Sequence, residues 1–328
     1  MRTPGPNRSR RAFLGASAGV AIHVLAASSL SAQPAAPRID ATQLSARVDG
    51  LLREHGQGIE ASLWVGGAAG GGVAGAGLFE RAAAVPRPTA SAIKSFYLVE
   101  LFDRFAGALD RPLPGVEGVL ADDAHPAIAH FTPEQRAEIR RELNGATVRR
   151  VGLVMMGTAP ASNVVYNAAA NVTTAALGGP DALTAQIRER DEAFAMVSAR
   201  RYMLRNRRER GDNESPAIAL AMLNQRLAAR RLAGIDAPTM DAIHEALRRR
   251  DDPALGRHYD KNGDLDSDPL SEVRAGWYDT AKGPLVYVVM TMQPTPGPAG
   301  REASSQQLAT TADALTEAIV QAGWAAMR

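Results

Sequence analysis

From Thr132 to Leu247 the chain is patterned for helices, with breaks at Gly145, Gly178-Gly179-Pro180, Gly211 to Pro216 and Gly234. Strand-type segments flank this block on both sides. Early and late strands must therefore meet across a helical insertion, which limits the chain to a discontinuous layout. The early strands are Ala61 to Val65 and Gly72 to Phe79, around a turn containing Gly66, Gly67, Gly70, Gly71 and Gly72. No G-K-[ST] follows that turn, so it reads as a hairpin rather than a phosphate loop. The late strands are Glu272 to Tyr278 and Pro284 to Met292, the second an almost unbroken apolar run. Asp40 caps a first helix with Leu44, Val48, Leu51 and Leu52 at helical spacing, and an amphipathic helix closes the chain from Glu302 to Met327. Ala90 to Leu109 is apolar on two faces, Ile93-Tyr97-Leu101-Phe105 and Leu98-Phe102, as a buried central helix would be. The expected fold class is α/β (α+β): an antiparallel sheet with the first and last helices on one face, plus an inserted all-helical lobe. The domain is expected over 40–328, with a sheet lobe from about 40–85 and 255–328 and a helical lobe from about 86–254. A cleft between lobes is a favoured place for a site.

The first 32 residues read as an address. Ser9-Arg10-Arg11-Ala12-Phe13-Leu14-Gly15 is a twin-arginine pattern, followed by the weakly apolar stretch Ala16 to Leu30 and the small residues Ser29-Leu30-Ser31-Ala32. This is a Tat-type export signal over 1–32 with cleavage near Ala32, and 33–39 is a linker. The stretch is too short and too weakly apolar for a membrane anchor. The expected location is periplasmic or secreted, with the Tat export machinery as a partner. The signal also holds the chain's positive balance. The whole chain has 37 basic and 35 acidic residues, and Arg2, Arg8, Arg10 and Arg11 lie in the signal. A near-neutral mature surface gives no general attraction to nucleic acid. With no cysteine, disulfides, thiolate chemistry and Cys-ligated metals are excluded.

The chain has only three lysines, Lys94, Lys261 and Lys282, against a large excess of arginine. Lys94 lies in Ser91-Ala92-Ile93-Lys94, at the start of the expected buried helix. At i and i+3 the two side chains share a helix face. A serine hydroxyl is a poor nucleophile until a base takes its proton, and a desolvated lysine has its pKa lowered enough to do so. The Ser91 amide at the helix start could donate to a developing oxyanion. The bland alternative, a helix cap followed by a snorkelling lysine, stays open on these residues alone.

The segment Arg87-Pro88-Thr89-Ala90-Ser91-Ala92-Ile93-Lys94 resembles the nucleophile segment of the serine β-lactamases and penicillin-recognising enzymes, class A above all. Leu177 to Thr184 (LGGPDALT) resembles the class A segment after the second motif. Gly211 to Pro216 (GDNESP) resembles its inter-helix loop. Lys261-Asn262-Gly263-Asp264-Leu265 with Arg274-Ala275-Gly276-Trp277-Tyr278 resembles its K-T-G strand and the strand that follows. Order and separations agree over roughly residues 40–325. The resemblance implies a Ser91 nucleophile, Lys94 as its base or orienting cation, Lys261 as an electrostatic anchor, and the Ser91 and Asp264 amides as the oxyanion hole. It implies substrate contacts at Asn167, Asn262, Gly263 and Asp264, and Arg274 meeting a substrate carboxylate. No cofactor and no metal enter, and one copy of the chain acts alone.

Three departures stand out. Position 262 is Asn where the family has Thr or Ser. The S-D-N motif is degenerate: ungapped counting gives Val165-Tyr166-Asn167, which loses the serine, while Ser162-Asn163 keeps it at the expense of about three extra residues. Ser162 is the preferred reading. The loop motif E-x-x-L-N, whose glutamate activates the deacylating water in the family, is absent. The region reads Ser198 to Asn206 (SARRYMLRN), and Glu209 and Glu214 are the nearest substitutes if the loop folds back. Two other patterns compete. Asp260 to Asp268 (DKNGDLDSD) resembles a calcium loop but lacks glycine at its sixth position and glutamate at its twelfth. Six arginines between Arg200 and Arg210 read as a solvated face, with an anionic-glycan surface as the alternative. The function expected is an exported serine hydrolase acting through a Ser91 acyl-enzyme on a β-lactam or peptidoglycan-like acyl compound. The rivals are an esterase and a non-catalytic or weakly catalytic ligand-binding protein on the same scaffold.

Overall fold

The computed structural model describes residues 39–67, 77–294 and 300–327. The twin-arginine segment and most of the Gly-rich turn lie outside these residues. The strands are β1 (Glu60–Gly67), β2 (Phe79–Arg81), β3 (Pro86–Pro88), β4 (Glu214–Pro216), β5 (Arg248–Asp252), β6 (Gly256–Asp260), β7 (Gly263–Leu265), β8 (Leu270–Thr280) and β9 (Gly283–Gln293). The helices are α1 (Ala41–His55), α2 (Lys94–Arg104), α3 (Val116–Ala121), α4 (Pro133–Leu143), α5 (Val148–Met156), α6 (Asn163–Ala176), α7 (Pro180–Arg190), α8 (Arg207–Arg210), α9 (Ala217–Ala228), α10 (Ala237–Leu247) and α11 (Arg301–Met327).

The apolar run Leu285 to Met290 lies inside β9, the strand on which early and late parts of the chain meet. The sheet order is β2-β1-β9-β8-β6-β5, with β7 also on β8, and every pairing is antiparallel. Alternate β9 residues serve opposite faces. Leu285, Tyr287 and Val289 pack with Leu44 and Val48 of α1 and Leu315 and Ile319 of α11. Val286, Val288 and Met290 join the core of the helical block, with Leu220 and Leu223 of α9. Helices cover both faces, so the strand is apolar throughout instead of alternating. Asp40 caps α1 through its side chain, which accepts from the Gln43 amide.

Three elements differ from the sequence expectation. The helix expected from Ala90 to Leu109 is a 3₁₀ turn, Ala90–Ile93, leading into α2, and every residue from Lys94 to Phe102 is buried. Between Asp191 and Pro216 only a 3₁₀ turn, Glu192–Phe194, and the single turn α8 are helical, and the long loop around them ends in β4, paired with β3. β5 and β6 were not expected. β5 reads Arg-Arg-Arg-Asp-Asp because it is the outermost strand, where charge protects unpaired backbone from other chains.

Candidate active site

The nucleophile candidate sits on the 3₁₀ turn. Ala90, immediately before Ser91, has φ +47°. A non-glycine residue in the left-handed region costs conformational energy, and such strain clusters at functional sites. The turn is held from behind, since the Thr89 amide and hydroxyl both donate to the Asn213 carbonyl, at 3.0 and 2.9 Å. Ser91 is half-exposed, while Ala92, Ile93 and Lys94 are buried.

Lys94 is fully buried and forms no ion pair among the described residues. Its Nζ donates to Asn167 Oδ1 at 2.8 Å. Asn167 is fixed in turn, its Nδ2 donating to the Asn163 carbonyl and Oδ1 at 2.9 and 3.0 Å. Burial holds the Lys94 pKa well below the ordinary lysine value. The nearby Lys261 adds to the effect and Asp264 opposes it. Lys261 follows β6 and is also buried, and burial with the Arg249 charge lowers its pKa to about 8, against the pull of Asp260 and Asp264. Its Nζ donates to the Asn262 carbonyl at 2.7 Å.

Between the two ammonium groups stands a residue that sequence reasoning set aside. Lys94 Nζ lies 3.3 Å from the centroid of the Tyr166 ring and Lys261 Nζ lies 5.2 Å from it. The Tyr166 phenol faces Ser91, and burial pushes its pKa up to about 12 against the opposing pull of the Ser91 hydroxyl. Ser162, preferred from the sequence, does not occupy this place. It is the exposed N-cap of α6, and its hydroxyl oxygen accepts from the Val165 amide at 3.3 Å. The ungapped triplet Val165-Tyr166-Asn167 brings Asn167 to Lys94 and Tyr166 to Ser91. The signal was a second O–H-bearing side chain in that triplet, but nothing in the spacing said how far it reaches.

Gly263 brings β7 against the nucleophile turn. A Cβ there would lie 2.6 Å from the Thr89 carbonyl oxygen and 2.7 Å from the amide nitrogens of Ser91 and Ala92. Gly263→Ala should therefore push the strand off the turn and destabilise the protein by about 1–3 kcal/mol, as overpacking typically does. Denaturant unfolding of the variant checks this; an unchanged midpoint would mean that the turn yields freely. Asp264 is exposed beside it.

Asn262 and Arg274 face the other way. Asn262 Nδ2 donates to Asp260 Oδ2 at 3.1 Å and its Oδ1 accepts from the Ala275 amide at 3.4 Å. Arg274 donates to Glu272 at 2.6 Å and to Asp313 of α11 at 2.8 Å. Both line a cavity of about 520 Å³ with His258, Tyr278, Tyr287 and Asp313.

The loop before β4 folds back onto α6. Asn171, one turn after Asn167, accepts from the Met203 amide at 2.5 Å and donates to the Met203 carbonyl at 3.1 Å. Glu209 and Glu214, the substitutes considered for the missing glutamate, are instead paired with Arg205 and Arg200 of the same loop, at 3.0 and 2.8 Å. The arginine run is a lattice of such pairs. Arg201 and Arg207 both hold Asp212, Arg210 holds Asp181, and Arg207 also donates to the Ser267 carbonyl at 2.7 Å, tying the loop to the turn after β7. In the Asp260–Asp268 segment, Asp260 is bound to Arg249 and Asn262. No three metal-ligating side chains converge among the described residues.

With Lys94 as the expected base and Lys261 as the expected anchor, acylation should rise as pH climbs through the lowered Lys94 pKa and fall as pH passes about 8, where Lys261 loses its charge. The two sites interact, and the limbs of the bell belong to the pair. Acylation rates measured between pH 5 and 10 check this, and a profile flat across that range contradicts it.

No family model matches the chain, and no curated protein matches it. Solved structures do. A β-lactamase from Sphaerobacter thermophilus superposes with a TM-score of 0.60 at 18% identity, covering 88% of this chain and 99% of that one. A class A β-lactamase from Bacteroides cellulosilyticus gives 0.60 at 12% identity, over 87% and 99%. A mutant of PBP-A, as its acyl-enzyme complex with penicillin G, gives 0.56 at 18% identity, over 85% and 97%. The chain has a β-lactamase-like fold, and the solved structures it resembles include class A β-lactamases and PBP-A. Among the described residues no helix is long and apolar enough to cross a membrane.

Proposed function

We propose that the chain is a serine hydrolase, exported through the twin-arginine pathway, that acts through an acyl-enzyme on Ser91. Its substrates would be β-lactams or peptidoglycan-like acyl compounds. The observation that carries the reading is a half-exposed serine on a strained turn beside a fully buried lysine that has no carboxylate partner among the described residues. An amine whose pKa burial lowers takes, in its neutral form, the Ser91 proton as Oγ attacks the acyl carbon. Negative charge grows on the acyl oxygen, where the Ser91 and Asp264 amides are the proposed donors. Lys261 supplies positive charge at the same end of the site.

The contacts of Arg274 favour a second reading, an esterase for uncharged acyl groups. Two carboxylates already hold this guanidinium, so a substrate carboxylate must displace Glu272 or Asp313 to reach it. One experiment tests both readings: intact-mass measurement after incubation with a fluorescent penicillin and, separately, with an uncharged phosphonate ester. A one-equivalent adduct with the penicillin supports the β-lactam reading. An adduct with the phosphonate alone supports the esterase, and none with either leaves a binding protein on the same scaffold.

A further inference from the structure

One row of side chains on α11 runs from charged to apolar. Asp313, Glu317, Val320 and Trp324 follow the spacing i, i+4, i+7 and i+11, which places them on one face of the helix. With Tyr278 of β8 and Leu255 in the turn between β5 and β6, they line a cavity of about 440 Å³. Small-ligand sites usually span about 300–1,000 Å³. Ser91, Lys94 and Lys261 are not among its lining residues.

The charge in this cavity has one sign. Asp252, Asp313 and Glu317 line it, and no basic side chain does. Asp313 is held by Arg274 at 2.8 Å. Asp252 and Glu317 form no ion pair among the described residues. Asp252 accepts from the amides of Ala254 and Leu255, at 2.8 and 2.9 Å, and Glu317 accepts from Gln321 Nε2 at 2.7 Å. Arg250 and Arg274 line the adjoining cavity instead. The other end is apolar: Val320 is buried, and Leu255, Tyr278 and Trp324 are half-buried.

We propose that this cavity binds a small amphipathic cation, an ammonium group carried on an aryl or short alkyl body. The ammonium lies toward Asp252 and Glu317, two carboxylates that have no cation of their own. The body lies along Val320 and Trp324, which takes their apolar surface out of water. Aromatic rings also attract a cation over their faces, tryptophan most strongly. An anion of the same shape meets like charge, and a neutral molecule leaves the carboxylates unpaired.

Isothermal titration calorimetry with 4-phenylbutylammonium, 4-phenylbutanol and 4-phenylbutyrate tests this, because the probes differ only at the polar end. The ammonium should bind saturably at one site. The alcohol should bind about tenfold more weakly, as loss of pairing with two carboxylates implies, and the butyrate not at all. Glu317 is exposed, so Glu317→Lys should keep the fold, abolish ammonium binding and admit the butyrate. Fluorescence gives a second readout. Trp64 and Trp277 are fully buried, so the ammonium should change the emission of Trp324. Equal affinity for all three probes, ammonium binding unchanged in Glu317→Lys, or no saturation below about 10 mM overturns the proposal. None of these outcomes bears on the Ser91 reading, whose test is covalent.

Discussion

Replacing Ser91 by alanine should abolish covalent labelling outright while leaving the fold in place. The hydroxyl is the only group of the turn that is both half-exposed and next to a buried base. The turn itself is held by other atoms: Thr89 on the Asn213 carbonyl, and Gly263 packed against the Ser91 amide. None of these contacts uses the Ser91 side chain, whose hydroxyl faces the Tyr166 phenol. Losing one polar contact of this kind costs on the order of 1 kcal/mol at most, or a fall in Tm of about 2–4 °C. The measurement is intact mass after reaction with a labelling penicillin or phosphonate, alongside a thermal melt. The wild type should carry one equivalent and the variant none, with both melting cooperatively. An adduct that persists in the variant would place the nucleophile elsewhere. A variant that no longer melts cooperatively would show that Ser91 holds the turn together.

The scaffold and the placement of Ser91 beside Lys94 were more legible in sequence than the parts that surround them. Lysine scarcity singled out Lys94 and Lys261, and helical spacing set Ser91 one turn from Lys94. These are local signals, and the two lysines do come together beside one aromatic ring, that of Tyr166. Tyr166 was overlooked because its place depends on a distance across the helical block that no local spacing encodes. Ser162 was preferred on residue type, yet a serine just before a helix is first of all a cap, and capping is what its hydroxyl does. The arginine run looked like a solvated face because its partners, Asp181, Asp212 and Glu214, are distant in sequence or hidden in the same loop. β5 was missed because three arginines and two aspartates carry no apolar alternation, which an edge strand does not need. Asn171, which holds the Met203 backbone, looked like any polar residue in a helix until the loop was seen folded onto it.

That folded loop sets the second large expectation. Hydrolysis of an acyl-enzyme needs a base for the attacking water. Here the loop presents Met203 where Asn171 clasps it, one helical turn beyond the Asn167–Lys94 contact. Glu209 and Glu214 are committed to Arg205 and Arg200, and Asp212 to Arg201 and Arg207. Freeing any of these carboxylates would take an arginine's carboxylate partner away, and Arg201 is buried and Arg207 partly buried. Asp264, the acid whose charge Lys94 feels, is exposed at the rim, and water screens it. Loss of a positioned general base costs about 10²–10⁴-fold. Set against a typical turnover of about 10 s⁻¹, deacylation should run at about 0.1 s⁻¹ or slower. Stopped-flow mixing with nitrocefin should then show a burst of one equivalent followed by a slow steady phase. The acylated mass should persist for tens of seconds or longer after excess substrate is removed. Steady turnover above about 10 s⁻¹ with no burst would mean that Lys94, once free of the serine proton, activates the water itself. In that case the rate should collapse in step with acylation as pH falls through the Lys94 pKa, whereas a slow enzyme without such a base should keep its burst size while only the burst rate changes.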